Sequence, residues 1–231
     1  RVLFRSTFEN GMTLPELVCW FLEGVLQEFI DRAKNIKFME NTVRSAIKGR
    51  AIGIGVLGWH TFLQSKNIPF VGIQANSYTR LMFDFIEKEA LKASREQAEV
   101  YGEPEWCKGY GVRNTHRMAV APNLSSALIC GSVSQGIEPI YKNAYVQNTS
   151  AGKMDRVNPS LLKLMKERNV YTPEVVKDII KNNGSVQHVE WLSDEEKEVF
   201  KTAFEINQKQ IIRLASARQR YIDIEILIKG N

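Results

Sequence analysis

Cysteine and histidine are scarce, three of each in 231 residues. Cys19, Cys107 and Cys130 are far apart, and His60, His116 and His188 each stand alone. No CxxC pair or zinc-type spacing exists, so neither a disulfide framework nor a His/Cys metal site is expected. Reduced structural thiols are the expectation instead. Long apolar runs are also missing: nothing approaches the roughly 18 consecutive apolar residues of a membrane span. Arg1-Val2-Leu3-Phe4-Arg5 has neither a start Met nor a signal-peptide layout. With 15 Gly and 7 Pro the chain is too poor in both for a collagen-like or low-complexity linker protein. P-loop, GxSxG and HExxH motifs are absent, and no internal repeat is visible.

What is present fits an ordinary globular protein: 44% hydrophobic and 25% charged residues. The length suits one large domain or two small ones. Lys plus Arg number 31 against 26 Asp plus Glu, a net +5. That balance suits anionic ligands such as nucleotides and does not by itself point to nucleic acid or membrane.

Hydrophobic spacing predicts a helix from Pro15 to Lys34, carried by Leu17, Val18, Phe21, Leu22, Val25, Leu26, Phe29 and Ile30. Thr13 and Glu16 form a capping-box pattern at its start. A polar, basic stretch follows to Arg50. The glycine-punctuated run Ala51–Gly58 then opens a short helix to about Ser65. A long helix is predicted from Asn76 to Tyr101, stopped by Gly102-Glu103-Pro104. Met118–Ala121 reads as a strand, followed by a Ser-rich loop. Ala144–Val146 is strand-like. Helices are predicted from Asn158-Pro159 through Arg168 and from Pro173 to Lys181, then a turn at Asn182–Ser185. Ser193, with Glu196, caps a long helix to about Arg218, and Tyr221–Ile228 reads as a strand. The alternation of helices and short strands predicts an α/β fold.

Gly53-Ile54-Gly55-Val56-Leu57-Gly58 is a literal GxGxxG, the pattern that brings backbone amides to a pyrophosphate in dinucleotide folds. Here no buried strand precedes it, and no acid lies in Val71–Asn76 for a ribose. Close backbone packing where an extended segment turns into a helix is the competing reading. Pro122-Asn123-Leu124-Ser125-Ser126 is the second candidate. Exposed amides and small hydroxyls after a strand can hold a phosphate without a lysine, or can form a plain turn. Glu138, within Gly136-Ile137-Glu138-Pro139, could orient a loop or be a solvated acid. Lys209, Arg218 and Arg220 with Tyr221 could form a nucleic-acid patch, but lack the interleaved aromatics of a single-strand binder and read more simply as a solvated helix face.

Several motifs in order carry a family resemblance. Arg50-Ala51-Ile52-Gly53-Ile54-Gly55-Val56-Leu57-Gly58-Trp59-His60 is similar to a stretch of the large catalytic subunit of class I ribonucleotide reductase. So are Met118–Ser126, Gly136–Pro139, Val157–Leu162, Asn183–Gln187 and Arg218–Asp223. The resemblance covers residues 13–223 as a partial barrel domain and leaves 1–12 and 224–231 unmatched. It implies an α/β fold, part of a ten-stranded α/β barrel of which this chain supplies much of the second half. It implies reduction of ribonucleoside diphosphates to 2′-deoxy forms by thiyl-radical chemistry, with Pro122, Asn123, Leu124, Ser125 and Ser126 holding the substrate diphosphate. The implied partners are the substrate, the N-terminal remainder of the large subunit and a small radical-generating subunit, with no nucleic acid and no membrane. No cofactor is expected on this chain: the radical-generating metal centre belongs to the small subunit, and ATP/dNTP effectors bind elsewhere. A cytoplasmic location is implied.

The sequence also departs from the family pattern. The Asn-x-Cys-x-Glu loop that carries the thiyl cysteine is absent and is expected upstream of residue 1. Cys19, Cys107 and Cys130, expected in helix, loop and strand respectively, match no redox motif, so no catalytic residue is assigned. After Asp223 the tail Ile224–Asn231 differs from the family's. A partial reductase subunit is the expectation, from a split gene, a gene fragment or an intervening element, and inactive alone. A stand-alone nucleotide-binding or interaction module, or a dinucleotide-dependent dehydrogenase, are the alternatives.

Overall fold

A computed structural model of the chain describes residue 8 and residues 11–149 and 152–225. These residues form nine α-helices and four short strands. The chain divides into two compact units, one of residues 1–55, 79–121 and 218–231, the other of residues 56–78 and 122–217.

In the first unit, helix α1 spans Leu14–Ala33, with Glu16 reaching back to the Thr13 amide at 2.6 Å as its capping pattern requires. Its apolar residues do not form the single buried face that spacing predicts. Leu17, Phe21 and Val25 are exposed, whereas Glu16 and Glu23 are buried. Glu23 goes inside because three donors converge on its Oε1: Arg50 Nε at 3.0 Å, Arg50 Nη2, and Arg113 Nε at 2.9 Å. Asn114 Nδ2 and Arg50 Nη1, the latter on Gln27, extend the network. Charges this deep are tolerated only when paired and hydrogen-bonded, because desolvating an ion costs several kcal/mol.

Arg50 caps the C-terminus of α2, Glu40–Gly49, in the left-handed region at φ 48°. That helix replaces the featureless basic stretch of the sequence reading. Its apolar residues Val43, Ala46 and Ile47 are few and separated by charge. Helix α4 starts at Ile73, three residues earlier than predicted, and runs to Tyr101. Cys19 lies on α1, wholly buried, and burial pushes its thiol up to about 12. Cys107 is buried in a short 3-10 turn, Glu105–Cys107.

The sheet of this unit is small and parallel. Strand β1, Ala119–Val120, pairs with β4, Ile224–Glu225. Ile54 bridges to Met118 on β1's other side, with Ala119 donating to the Ile54 carbonyl at 3.1 Å. Asp223 secures the start of β4 by accepting from the amides of Arg117 (2.7 Å) and Met118 (3.0 Å). The predicted strand Tyr221–Ile228 thus begins later than expected, and residues 226–228 lie outside the described residues. The close packing explains Gly53 and Gly55. A Cβ on Gly53 would meet the Ala119 Cβ at 2.8 Å, and one on Gly55 the Ala119 carbonyl oxygen at 2.6 Å.

The second unit contains α3 (Trp59–Ser65), α5 (Leu124–Ile129), the antiparallel hairpin β2–β3 (Ala144–Thr149 and Gly152–Val157), α6 (Pro159–Glu167), α7 (Pro173–Lys181) and α8 (Asp194–Val199), with most of α9 (Gln208–Gln219). Its core gathers Leu161, Met165, Ile179, Val186 and Val199. Helices α6 and α7 begin at Pro as predicted, capped by Asn158 and Thr172. The single helix predicted from Ser193 to Arg218 is instead two. Ser193 and Glu196 do form the capping box, but tertiary bonds take over the backbone after Val199. The Val199 carbonyl accepts from His60, and the Phe200 carbonyl from Asn143 Nδ2 at 2.7 Å. The Ala203 amide donates to Ile140, and the Thr202 amide to Glu205. A helix cannot propagate through groups already engaged elsewhere.

His60 is completely buried. The Ile140 amide donates to its Nδ1 at 3.1 Å, so the ring proton sits on Nε2, which donates to the Val199 carbonyl at 3.3 Å. Its edge meets the Phe70 ring, centroids 4.9 Å apart.

Two outcomes are expected. Gly55→Ala should lower stability by about 1–3 kcal/mol through collision with the Ala119 carbonyl; an unchanged denaturation midpoint would refute the close-packing account. Burial depresses the His60 pKa from 6.5 to about 4. Its neutral form is therefore the folded form, and its contribution is fully present above about pH 6.5 and lost as pH falls toward 4. His60→Ala should cost about 2–4 kcal/mol at neutral pH by orphaning the Ile140 amide, and should flatten the acid slope seen in urea titrations across that window.

Candidate functional site

The Ser-rich segment after β1 is not a loop. Asn123 is the N-cap of α5, and its carbonyl accepts from the Ala127 amide at 3.0 Å. Leu124, Ser125 and Ser126 therefore form the first helical turn, where backbone amides have no carbonyl one turn back to bind. Spacing misses this because α5 is only six residues long and only Ala127 is fully buried. Pro122, Leu124, Ser125 and Ser126 are exposed and Asn123 is partly so. Among the described residues, no hydrogen bond engages the amides or side chains of Leu124, Ser125 or Ser126. The structure thus places the five predicted residues at one helix start, with Leu124, Ser125 and Ser126 exposed.

The GxGxxG run does the opposite. Gly58, at φ 78°, caps α3, and its amide donates to the Ser134 carbonyl at 3.0 Å. The Trp59 amide donates to the Gly136 carbonyl at 3.0 Å. Thr61 and Ser134 exchange hydroxyl and amide bonds at 2.8 and 3.1 Å. These amides hold the chain's own backbone, leaving none of them for a pyrophosphate. His60 continues the grip to Ile140, so the first turn of α3 fixes the whole segment Ser134–Ile140.

Glu138, in that segment, is half-buried, and desolvation raises its pKa. It does not join the α5 start. Beyond it lies a cleft of about 370 Å³, bordered by Leu124, Pro139, Tyr141, Tyr145 and Arg156 among others. Sequence reasoning does not find this cleft. Strand β3 carries Lys153, Asp155 and Arg156 and is mostly exposed, so it gives no apolar signal. Its register places Arg156 opposite Tyr145.

The remaining candidates disperse. Arg218 is buried whereas Lys209 and Arg220 are exposed, Arg220 lying over the Tyr221 ring at 4.6 Å, so the three basic residues do not form one solvent-facing stripe. Cys130 follows α5 and is exposed rather than lying in a strand. His188 pairs with Asp178 on the surface. Among the described residues no three His, Cys, Asp or Glu converge where a metal could sit, and no helix is long and apolar enough to cross a membrane.

The family model for the ribonucleotide reductase barrel domain matches residues 18–109 and 104–226. The chain is 41% identical over 210 residues to the putative ribonucleoside-diphosphate reductase large subunit of Frog virus 3 (isolate Goorha), covering 90% of this chain and 37% of that protein. It is 39% identical over 209 residues to the large subunit of Invertebrate iridescent virus 3, covering 89% and 33%. Its fold is similar to the class Id ribonucleotide reductase alpha subunit of Actinobacillus ureae, with a TM-score of 0.83 and 46% identity over 91% of this chain and 38% of that one. The chain thus spans about a third of the length of these relatives. It belongs to the ribonucleotide reductase family, as part of that family's barrel domain.

Proposed function

We propose that this chain supplies the substrate-diphosphate grip of a ribonucleoside-diphosphate reductase large subunit, for making 2′-deoxyribonucleotides. The observation that carries the reading is the unengaged first turn of α5. Three successive amides and two hydroxyls, at Leu124, Ser125 and Ser126, face solvent at the positive end of a helix. Phosphate oxygens are the natural acceptors for such donors. Pro122 and Asn123 set the direction from which the chain enters the turn. The Leu124 amide binds while its side chain borders the cleft.

On this reading the radical chemistry lies outside these residues. Hydrogen abstraction from the ribose needs a thiyl cysteine in an Asn-x-Cys-x-Glu setting, which the 231 residues lack. Cys19 cannot stand in for it: its thiol is buried and its pKa is raised, so it is held as an unreactive thiol. The N-terminal remainder of the large subunit would supply the cysteine. A small subunit would supply the radical through its metal centre, and effector nucleotides would bind elsewhere. The setting would be the cytoplasm, where reduced thiols persist.

Calorimetric titration with cytidine diphosphate tests the grip. Ser125→Ala combined with Ser126→Ala should weaken binding at least tenfold, since each hydrogen bond to a charged oxygen contributes about 1.5–3 kcal/mol. Leu124→Pro, which keeps the helix start but deletes one amide, should weaken it further. Equal affinity in all three proteins would remove the grip from this turn. The chain alone, given small subunit and reductant, should form no deoxynucleotide; measurable product would overturn the assignment of the chemistry to absent residues.

A further inference from the structure

The cleft beside the β2–β3 hairpin is lined neither by Ser125 nor by Ser126. At about 370 Å³ it falls in the size range of small-molecule pockets. Its walls are largely apolar, and several of its polar groups are already satisfied. Ser134 bonds with Thr61, and Asn158 Nδ2 bonds with Gln64 and Asn143 at 3.0 Å each. Two cations are the exception. Lys142 and Arg156 take part in none of the ion pairs among the described residues. Arg156 Nε donates at 2.8 Å to the neutral Gln147, which leaves the outer guanidinium nitrogens for a ligand. This contrasts with Arg50, Arg113 and Arg168, each of which lies against a carboxylate.

Two rings accompany the cations. Tyr145 is the direct cross-strand partner of Arg156, so ring and guanidinium share one face of the hairpin. Tyr141 packs against Phe204 with ring centroids 6.0 Å apart. Asp155 alternates to the opposite face of β3, away from Arg156. Glu138, whose charge Tyr141 feels, is itself desolvated and does not line the cleft.

We propose that this cleft is a second ligand site, adjoining the α5 start only through the Leu124 side chain, for a phosphate monoester carried on a planar heterocycle, such as a nucleoside monophosphate. Two unpaired cations match a dianionic phosphate, and a tyrosine beside a guanidinium offers a surface for a flat ring.

The test is calorimetric titration of the full chain with adenosine monophosphate, adenosine and inorganic phosphate. Adenosine monophosphate should bind more tightly than either part alone. Arg156→Gln and Tyr145→Leu should each weaken it about tenfold or more, as expected for a lost charge-assisted bond or ring contact. Ser125→Ala with Ser126→Ala should leave it unchanged. Thermal transitions of the variants verify folding, and Lys142→Gln, at an exposed position, gives a second probe of the charge. Three results would overturn the site: no binding at millimolar ligand, insensitivity to both cation variants, or loss of binding in the serine variant. The last would place the ligand on the α5 turn and leave the diphosphate reading standing. Conversely, failure of cytidine diphosphate to sense the serines would leave the cleft untouched.

Discussion

The first turn of α3 holds the segment Ser134–Ile140, and the candidate site of the second unit depends on that hold. Backbone amides at Gly58 and Trp59, the Thr61 hydroxyl and the His60 ring all bind this one segment. Gly58 makes the turn possible, because its left-handed conformation at φ 78° would strain any side-chain-bearing residue. Through Val133, whose amide bonds to the Ala127 carbonyl, the held segment connects back to α5. The same segment runs through Pro139 and Ile140 into the cleft wall. An uncharged imidazole suits this role, since an imidazolium could not accept from the Ile140 amide.

This explains why a motif with a familiar ligand-binding use serves another purpose here. In a dinucleotide fold, the amides of GxGxxG point at a pyrophosphate. In this chain the Ile54 and Gly58 amides donate to the carbonyls of Arg117 and Ser134, and the first two glycines let the backbone pass close to Ala119. The same helix-start chemistry is left open later in the chain, at Leu124–Ser126. What differs is whether a nearby carbonyl has already taken the donors, which is a tertiary fact and not a property of the motif.

Elements with strong local signals were legible in the sequence. Helices α6 and α7 begin at their prolines, and the capping patterns at Thr13 and Ser193 form as spacing predicts. What was not legible depends on distant partners. The chain breaks after Val199 because His60, Asn143 and Ile140 take its backbone groups. Glu16 and Glu23 are buried on α1 because Lys92, Arg50 and Arg113 meet them. Strand β3 lacks alternating apolar residues because both faces near its turn are exposed. For the candidate site, small hydroxyls after a strand leave Pro122–Ser126 open between an anion cradle and a plain turn, and the family resemblance points to the cradle; the helical geometry of this segment and the cations Lys142 and Arg156 give no sequence signal.

The first unit is assembled from three separated stretches of sequence, and β1 pairs with a strand at the far end of the chain, Ala119 with Ile224. Ribosomes add roughly 5–20 residues per second, so β1 leaves the exit tunnel some seconds before its partner has been made. The intervening residues, 122–217, belong to the second unit, and their hairpin and helices can condense in that interval. Until Ile224 and Glu225 have been made, that side of β1 has no strand to pair with and is an open edge of the kind to which another chain can add.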